Sequence, residues 1–239
     1  MQKIKKIKIF IGLFYLILLL VFLYLFFSRY SFEEITTYKF IQSNREYLVN
    51  LKESKMLLLS TAFLFFGIVW VFLMGFGSPL VLMAGFIFDK WIGLLLSLTS
   101  LTIGATLLYI FANFFFKDLI REKFLNKFSN LESKFKKNEF LFFLIYRFIG
   151  GIPFQIANIL PTLFDIKIKN YFFGTLIGLT PQVFIIASLG SGIDKVIKNN
   201  ENIPNMLELL FSQEIYMPII GFIFLVLITF VLKKIFFRN

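Results

Sequence analysis

The sequence FLFFLIYRFIGGIPFQIANILPTLFD, at residues 140–165, decides the fold because it is apolar but cannot form one continuous helix. Gly150, Gly151 and Pro153 interrupt it, since glycine weakens a helix and proline lacks the backbone donor that a helix needs. The arm on each side has about ten residues, whereas a helix needs ~20 to cross the hydrocarbon core. The stretch therefore predicts a re-entrant hairpin, which enters and leaves the membrane on one side.

The composition of the whole chain is typical of a membrane protein. Of the 239 residues, 58% are hydrophobic, and the mean hydropathy is +0.81, whereas a soluble domain uses about 45–50% apolar residues. Cysteine and histidine are absent, so we expect no disulfide, no metal site and no cofactor. The chain also lacks a Ser/His/Asp set, a phosphate-binding loop and any metal-ligand spacing, and we therefore expect no enzymatic activity.

Four uncharged apolar runs are long enough to cross a bilayer, at residues 9–27, 92–116, 171–190 and 216–232. The net charge of +11 comes from Lys and Arg that lie between these runs, so it predicts topology control and contact with anionic lipid, not nucleic-acid binding. The positive-inside rule places both termini and the basic stretches in the cytoplasm, and the acidic loop at residues 191–214 outside. We expect a multi-pass protein of a cell membrane, a bacterial cytoplasmic membrane in the first instance.

A second broken stretch, at residues 57–88, matches the first one. Gly75, Gly77 and Pro79 interrupt it, and each stretch closes with a Phe–Asp pair that precedes a full span. Paired interrupted segments in two inverted halves indicate a transporter's binding site, because lipid cannot satisfy the freed backbone groups. The sequence thus predicts an all-α polytopic membrane protein with four full transmembrane helices and two opposed re-entrant helical hairpins in an inverted repeat.

The chain divides into three regions on this pattern. Residues 1–56 are expected to form an N-terminal anchor helix and an external linker, residues 57–192 the core with both hairpins, and residues 193–239 an external loop and a C-terminal transmembrane helix. The charged stretch at residues 117–139 carries one apolar stripe at helical spacing. Such a helix lies on anionic lipid at the membrane surface or packs on the protein's own cytoplasmic face, and both interpretations stay open.

Arg147 is the strongest single indication of function. On a helix that starts at Glu139 it lies about 12 Å into the membrane, where a charge costs ~2.5–3.5 kcal/mol. In the functional interpretation, its guanidinium binds a lipid phosphate through two parallel hydrogen bonds. In the structural interpretation, Arg147 extends to the cytoplasmic surface or pairs with Asp165.

Further candidates surround the two hairpins. The amides of Gln155 and Asn158 satisfy either the broken backbone or a ligand, and Asp89 and Asp165 either carry a proton in a buried site or lie solvated at the interface. The candidates for contact with a lipid headgroup are Arg147, Gln155, Asn158, Asp165 and Asp89. Residues expected to serve close helix packing or a kink are Gly104, Thr175, Gly178 and Pro181.

The pattern around these residues resembles the signature of the DedA-like, or VTT-domain, membrane proteins, also called SNARE-associated Golgi proteins. The resemblance covers roughly residues 57–192 and is carried in the second half by Tyr146-Arg147-Phe148, Pro153-Phe154, Asn158, Gly174-Thr175, Gly178, Pro181 and Gly190-Ser191. In the first half it is carried by Pro79, Gly85, Gly93 and Gly104-Ala105. The resemblance implies two opposed re-entrant hairpins and translocation of phospholipids or polyprenyl phosphates, with Arg147, Pro153 and Asn158 on the family's motif positions.

The main functional hypothesis is a lipid flippase or scramblase whose polar groove lies between the two hairpins. Its partners would be membrane phospholipids or a polyprenyl phosphate. Two alternatives stay open, namely an ion- or proton-coupled transporter of small solutes and a membrane assembly factor that transports nothing.

Overall fold

The computed structural model of the protein describes residues 38–118, 138–199 and 211–236, together with Gly12, Phe14, Tyr15, Ile17, Leu20, Val21, Tyr24 and Glu122. Within these residues the secondary structure is helical, without strands. Six helices have defined bounds, and a 3-10 turn at Leu160–Leu163 continues the fourth. They are α1 (Tyr38–Phe72), α2 (Gly77–Phe115), α3 (Glu139–Ile149), α4 (Phe154–Ile159), α5 (Ile168–Asn199) and α6 (Gln213–Phe236).

The chain is an all-α, multi-pass membrane protein, as predicted. Among the described residues, the helical stretches long and apolar enough to cross a membrane are Val49–Phe72, Gly77–Phe115, Ile168–Lys198 and Gln213–Leu232. Three of them contain the predicted spans, whereas the first covers part of the predicted hairpin at residues 57–88. The predicted span at residues 9–27 and the stretch at residues 117–139 lie mostly outside the described residues.

Both halves of the core contain a helical hairpin. In the first hairpin, residues 56–88, α1 ends at Phe72, the chain turns at residues 73–76, and the first part of α2 returns. The second hairpin, residues 139–163, consists of α3, a turn at residues 150–153, and α4 with its 3-10 turn. The base of the second hairpin is closed because the Lys167 backbone N–H donates to Glu139 Oε1 at 2.7 Å. That the hairpins dip into the membrane from opposite faces stays a prediction.

An aspartate ends the returning arm of each hairpin. Asp89 has φ 63° and divides α2 into the returning arm and a long span. Asp165 has φ 55° and separates the second hairpin from α5. Aspartate adopts a positive φ more often than most residues, and the returning arm of each hairpin thus ends at an aspartate with a positive φ.

The two long helices run antiparallel, as an inverted repeat requires. The Trp91 and Phe184 rings are 5.3 Å apart, whereas Tyr109 stacks on Tyr171 at 4.3 Å. The start of the span in α2 therefore lies beside the later part of α5, and its end lies beside the start of α5. Close approach depends on Gly85, where an added Cβ would lie 2.0 Å from a backbone carbonyl oxygen of α5.

The two turns are built from different residues. Gly150 and Gly151 take φ values of 63° and 78°, a region that glycine enters without a steric penalty. In the first turn Met74 takes the positive φ of 61°. Gly75 is needed there for space, since an added Cβ would lie 2.3 Å from the Trp70 ring nitrogen.

One sequence expectation needs correction. Residues 191–199 extend α5 and are not part of a loop, because Val196 and Ile197 are buried at 6% and 7% exposure. Within the region expected to link the anchor to the core, residues 38–54 are helical; they lack Gly and Pro and are rich in good helix formers. Pro181, for which packing or a kink was expected, lies inside helix α5.

Candidate functional site

Arg147 lies in the last turn of α3, and its side chain is buried. Only 3% of the residue is exposed, although neighbouring positions on the hairpin are half-buried. The close crossing of α3 over α5 produces this burial, because Gly178 faces the arginine. An added Cβ at Gly178 would lie 2.6 Å from Arg147 Cβ, so glycine is needed at this crossing.

The guanidinium of Arg147 is held by three neutral side chains. Its Nε donates to Thr175 Oγ1 at 3.1 Å, and its Nη1 donates to Asn158 Oδ1 at 2.8 Å. Its Nη2 donates to the Tyr171 hydroxyl at 2.5 Å, and that hydroxyl donates to the Asn158 backbone oxygen at 3.0 Å. The hydrogen bonds fix the plane of the guanidinium and its position relative to both arms of the hairpin.

Two aromatic rings complete the surroundings of the charge. The guanidinium carbon lies 5.2 Å from the centre of the Phe143 ring and 4.9 Å from that of Tyr171. Both distances fall within the ~6 Å range of a cation–π contact, which is worth about 2 kcal/mol when desolvated. The rings stabilise the cation without neutralising it.

The predicted ion pair between Arg147 and Asp165 is wrong. Asp165 accepts instead from Lys117 Nζ at 2.6 Å, and its side chain is 53% exposed. Among the described residues, no carboxylate lies within ion-pair distance of Arg147. Arg147 does not extend to the surface either, and the part of the chain that the structure describes places no negative charge against it.

The same site contains hydrogen-bond donors without acceptors. A guanidinium has five N–H groups, and the three hydrogen bonds of Arg147 leave two of them free within the described structure. The Nδ2 of Asn158 is also buried and unpaired in this part of the chain. Since an unsatisfied buried donor costs about 1–3 kcal/mol, the arrangement is one that an anion would complete.

A cavity of about 230 Å³ opens beside Arg147. It lies between the tips of the two hairpins, because Gly77 and Ser78 line one side and residues 150–152 line the other. At Gly77 an added Cβ would lie 3.4 Å from the Phe154 ring, so the two tips meet here. Gln182 also lines the cavity, and its Nε2 donates to the Phe148 carbonyl at the end of α3 at 2.7 Å.

The structure brings only part of the predicted site together. Arg147, Asn158 and Thr175 form one cluster, whereas Gln155 is partly exposed and does not line the cavity. Asp89 lies at the far end of the antiparallel helix pair, where it accepts from Lys52 Nζ at 3.2 Å. The roles of all five headgroup candidates stay predictions.

Sequence reasoning missed Tyr171 and Gln182. Tyr171 is fully buried and contacts both the charge and the hairpin backbone, but in the sequence it looks like an interfacial tyrosine at the start of a span. Gln182 follows Pro181 in an apolar helix. An amide at membrane depth needs partners, and this signal could have found it.

Comparisons with known proteins agree on one domain. The model of the VTT domain family matches residues 75–192. The "Transmembrane protein 41 homolog" of Caenorhabditis elegans is 24% identical over 136 residues, which are 54% of this chain and 55% of that protein. The protein of the same name from Dictyostelium discoideum is 28% identical over 138 residues, which are 55% of this chain and 41% of that protein.

A bacterial relative matches over a shorter region. The "Uncharacterized protein YqeD" of Bacillus subtilis is 30% identical over 109 residues, which are 45% of this chain and 52% of that protein. The chain thus spans about half the length of the curated relatives it matches. No solved structure matches it.

Proposed function

The chain belongs to the VTT-domain, DedA-like family of membrane proteins, and on this premise we propose that it moves phosphate-bearing lipid headgroups across a membrane through the cavity between its two hairpins. The observation that carries the proposal is the buried charge of Arg147. Arg147 is only 3% exposed. Its hydrogen-bond partners are neutral side chains, and N–H donors without acceptors remain beside it.

A lipid phosphate suits this site for two reasons. A planar guanidinium offers parallel N–H groups, which match two phosphate oxygens. The Asn158 amide adds a further donor next to Arg147. A phosphate would therefore supply both the missing negative charge and the missing hydrogen-bond acceptors.

The shape of the cavity favours a headgroup over a whole lipid. Its volume of about 230 Å³ is small, below the ~300–1,000 Å³ of most ligand pockets. Ile152, which lines the cavity, is 36% exposed, so an apolar side chain is available to acyl carbons next to the headgroup. Phospholipids and polyprenyl phosphates share the phosphate, and the proposal covers both.

Purified protein in phosphatidylcholine vesicles tests the proposal. Fluorescent phospholipid in the inner leaflet becomes accessible to dithionite only if the protein moves it, and a labelled polyprenyl phosphate is followed in the same way. We expect the wild-type chain to speed this loss of fluorescence and Arg147→Gln to slow it at least ~10-fold, which corresponds to ~1.4 kcal/mol. The matched control is Lys169→Gln, which removes an exposed charge outside the cavity.

Two outcomes would count against lipid transport. Arg147→Gln protein that folds and transports like the wild type would remove the arginine from the mechanism. Currents driven by a small anion, without movement of either lipid, would indicate that the transported substrate is a soluble solute and not a lipid headgroup.

We further propose that the end of the core that carries Lys117, Lys167 and Lys169 faces the cytoplasm of a cell, with both termini on that side. The support is the positive-inside rule. Because the chain has no cysteine, single cysteines can be introduced without a prior change. A cysteine at Lys169 should react with a membrane-impermeant reagent only in opened cells, and one at Gln213 in intact cells. The reverse pattern would invert the orientation.

A further inference from the structure

A second cleft lies between α5 and α6, at the end of the core that carries Asp89. Its volume is about 530 Å³, which falls within the ~300–1,000 Å³ typical of ligand pockets. Residues of the Arg147 cluster do not line it. One wall comes from α6, which begins at Gln213 and lies beyond the matched domain at residues 75–192.

The lining of this cleft changes from charged to apolar along the helices. Lys195 on α5 and Glu214 on α6 form its charged part, and Lys90 of α2 lines it as well, with its Nζ 5.6 Å from the centre of the Trp91 ring. One to three turns further along the same helices, the lining is formed by Phe184 and Met217. A glycerophospholipid has the same polarity order, from a charged headgroup to acyl chains.

Two of the charged residues of the cleft, Lys195 and Glu214, have no ion-pair partner within the described residues. Both side chains are exposed. Gly192 brings the two helices together here, because an added Cβ would lie 2.3 Å from the Glu214 backbone oxygen. Two cations and one carboxylate thus line one cleft.

We propose that this cleft binds a phospholipid with a primary amine in its headgroup, such as phosphatidylethanolamine. The lipid phosphate contacts Lys195 and Lys90, the ammonium contacts Glu214, and the first acyl carbons lie along Phe184 and Met217. A phosphatidylglycerol headgroup carries the same phosphate but a neutral glycerol, so it would leave Glu214 without a cation. The carboxylate therefore selects the amine-bearing lipid, and this proposal does not depend on transport through the central cavity.

Retention of spin-labelled lipid by the full chain in phosphatidylcholine vesicles tests the proposal. The probes are phosphatidylethanolamine and phosphatidylglycerol with the same labelled chain. We expect the wild type to retain the ethanolamine lipid about two- to fivefold more strongly, the range that one exposed ion pair supplies. Glu214→Gln should abolish this preference, and Lys195→Gln should weaken retention of both lipids.

The controls separate this site from its surroundings and from the proposed function. Lys198→Gln removes a charge on the same helix outside the cleft and should not change the retention of either lipid. Arg147→Gln should leave the preference for the ethanolamine lipid intact even if it abolishes transport. Equal retention of the two lipids by the wild type, or a preference that survives Glu214→Gln, would overturn the proposal.

Discussion

Asn158→Asp is the substitution that best separates a functional charge at Arg147 from a structural one. The two side chains have nearly the same shape, and the oxygen that accepts from Arg147 Nη1 at 2.8 Å is preserved. The substitution adds a negative charge and removes the Nδ2 donor, which has no acceptor in the described structure. The substitution therefore supplies the negative charge next to Arg147 from the protein itself, in place of a bound anion.

The size of the effect follows from the geometry. With charge centres about 4 Å apart and an effective dielectric constant near 20, the attraction between Arg147 and the new carboxylate is about 4 kcal/mol. Desolvation of the carboxylate offsets much of it, so we expect the free energy of unfolding to change by no more than about 2 kcal/mol. Because the new carboxylate neutralises Arg147, a lipid phosphate is attracted to the site less strongly by a comparable amount. A loss of about 2 kcal/mol of transition-state stabilisation already slows transport ~30-fold.

The assay compares transport with folding in the same preparations. Dithionite accessibility gives the rate, and reversible unfolding in mixed micelles gives the stability. The matched control is Asn138→Asp, which makes the same change at the N-cap of α3, where Asn138 accepts from the Leu141 N–H at 3.1 Å and aspartate caps equally well. Asn158→Asp protein that folds normally and transports at the wild-type rate would refute the anion site.

The remaining predictions concern the supports of the site. Tyr171→Phe removes the 2.5 Å contact with Arg147 and should cost about 1–3 kcal/mol of unfolding free energy; an unchanged value would show that the hydroxyl is not needed. Gly85→Ala places a Cβ 2.0 Å from a carbonyl oxygen of α5 and should lower the free energy of unfolding by about 1–3 kcal/mol. Gly221→Ala, whose added Cβ has its nearest neighbour at 3.8 Å, is the control and should leave the free energy of unfolding unchanged. Gly151→Ala meets open space but keeps φ at 78°, and strain alone should cost it ~1–2 kcal/mol; a neutral result in the unfolding assay would mean that the turn can relax.

The turns that divide the two apolar stretches were predictable because their signals are local. Glycine and proline act on the backbone within one or two residues, and arm length is counted directly from the sequence. The same count could have excluded the pair of Arg147 with Asp165, since the arginine lies about 12 Å along α3 from Glu139. Asp165 ends the returning arm at that same base, where Glu139 accepts from Lys167. The depth of each residue along the second hairpin can thus be counted from the sequence, and the count separates Arg147 from Asp165.

The partners of Arg147 were not predictable to the same extent. Thr175 and Tyr171 face the arginine because α3 crosses α5 at Gly178, and this register depends on three-dimensional packing. Spacing along α5 shows which residues share a face, but not which helix that face meets. The sequence therefore predicts where each apolar stretch turns, whereas the chemistry of the site depends on how α3 crosses α5.

The two halves share a close glycine crossing but differ in the charge of the residue that faces it. In the second half, Gly178 of the long helix faces Arg147, with 2.6 Å from an added Cβ to Arg147 Cβ. In the first half, Gly104 of the long helix faces Val71 in the same way, with 2.7 Å to Val71 Cβ. The position equivalent to the arginine is thus a fully buried valine. On the proposed function, a headgroup that moves between the two hairpins would therefore meet the Arg147 cation on one side and Gly77 and Ser78 on the other, so the second hairpin would bind the phosphate.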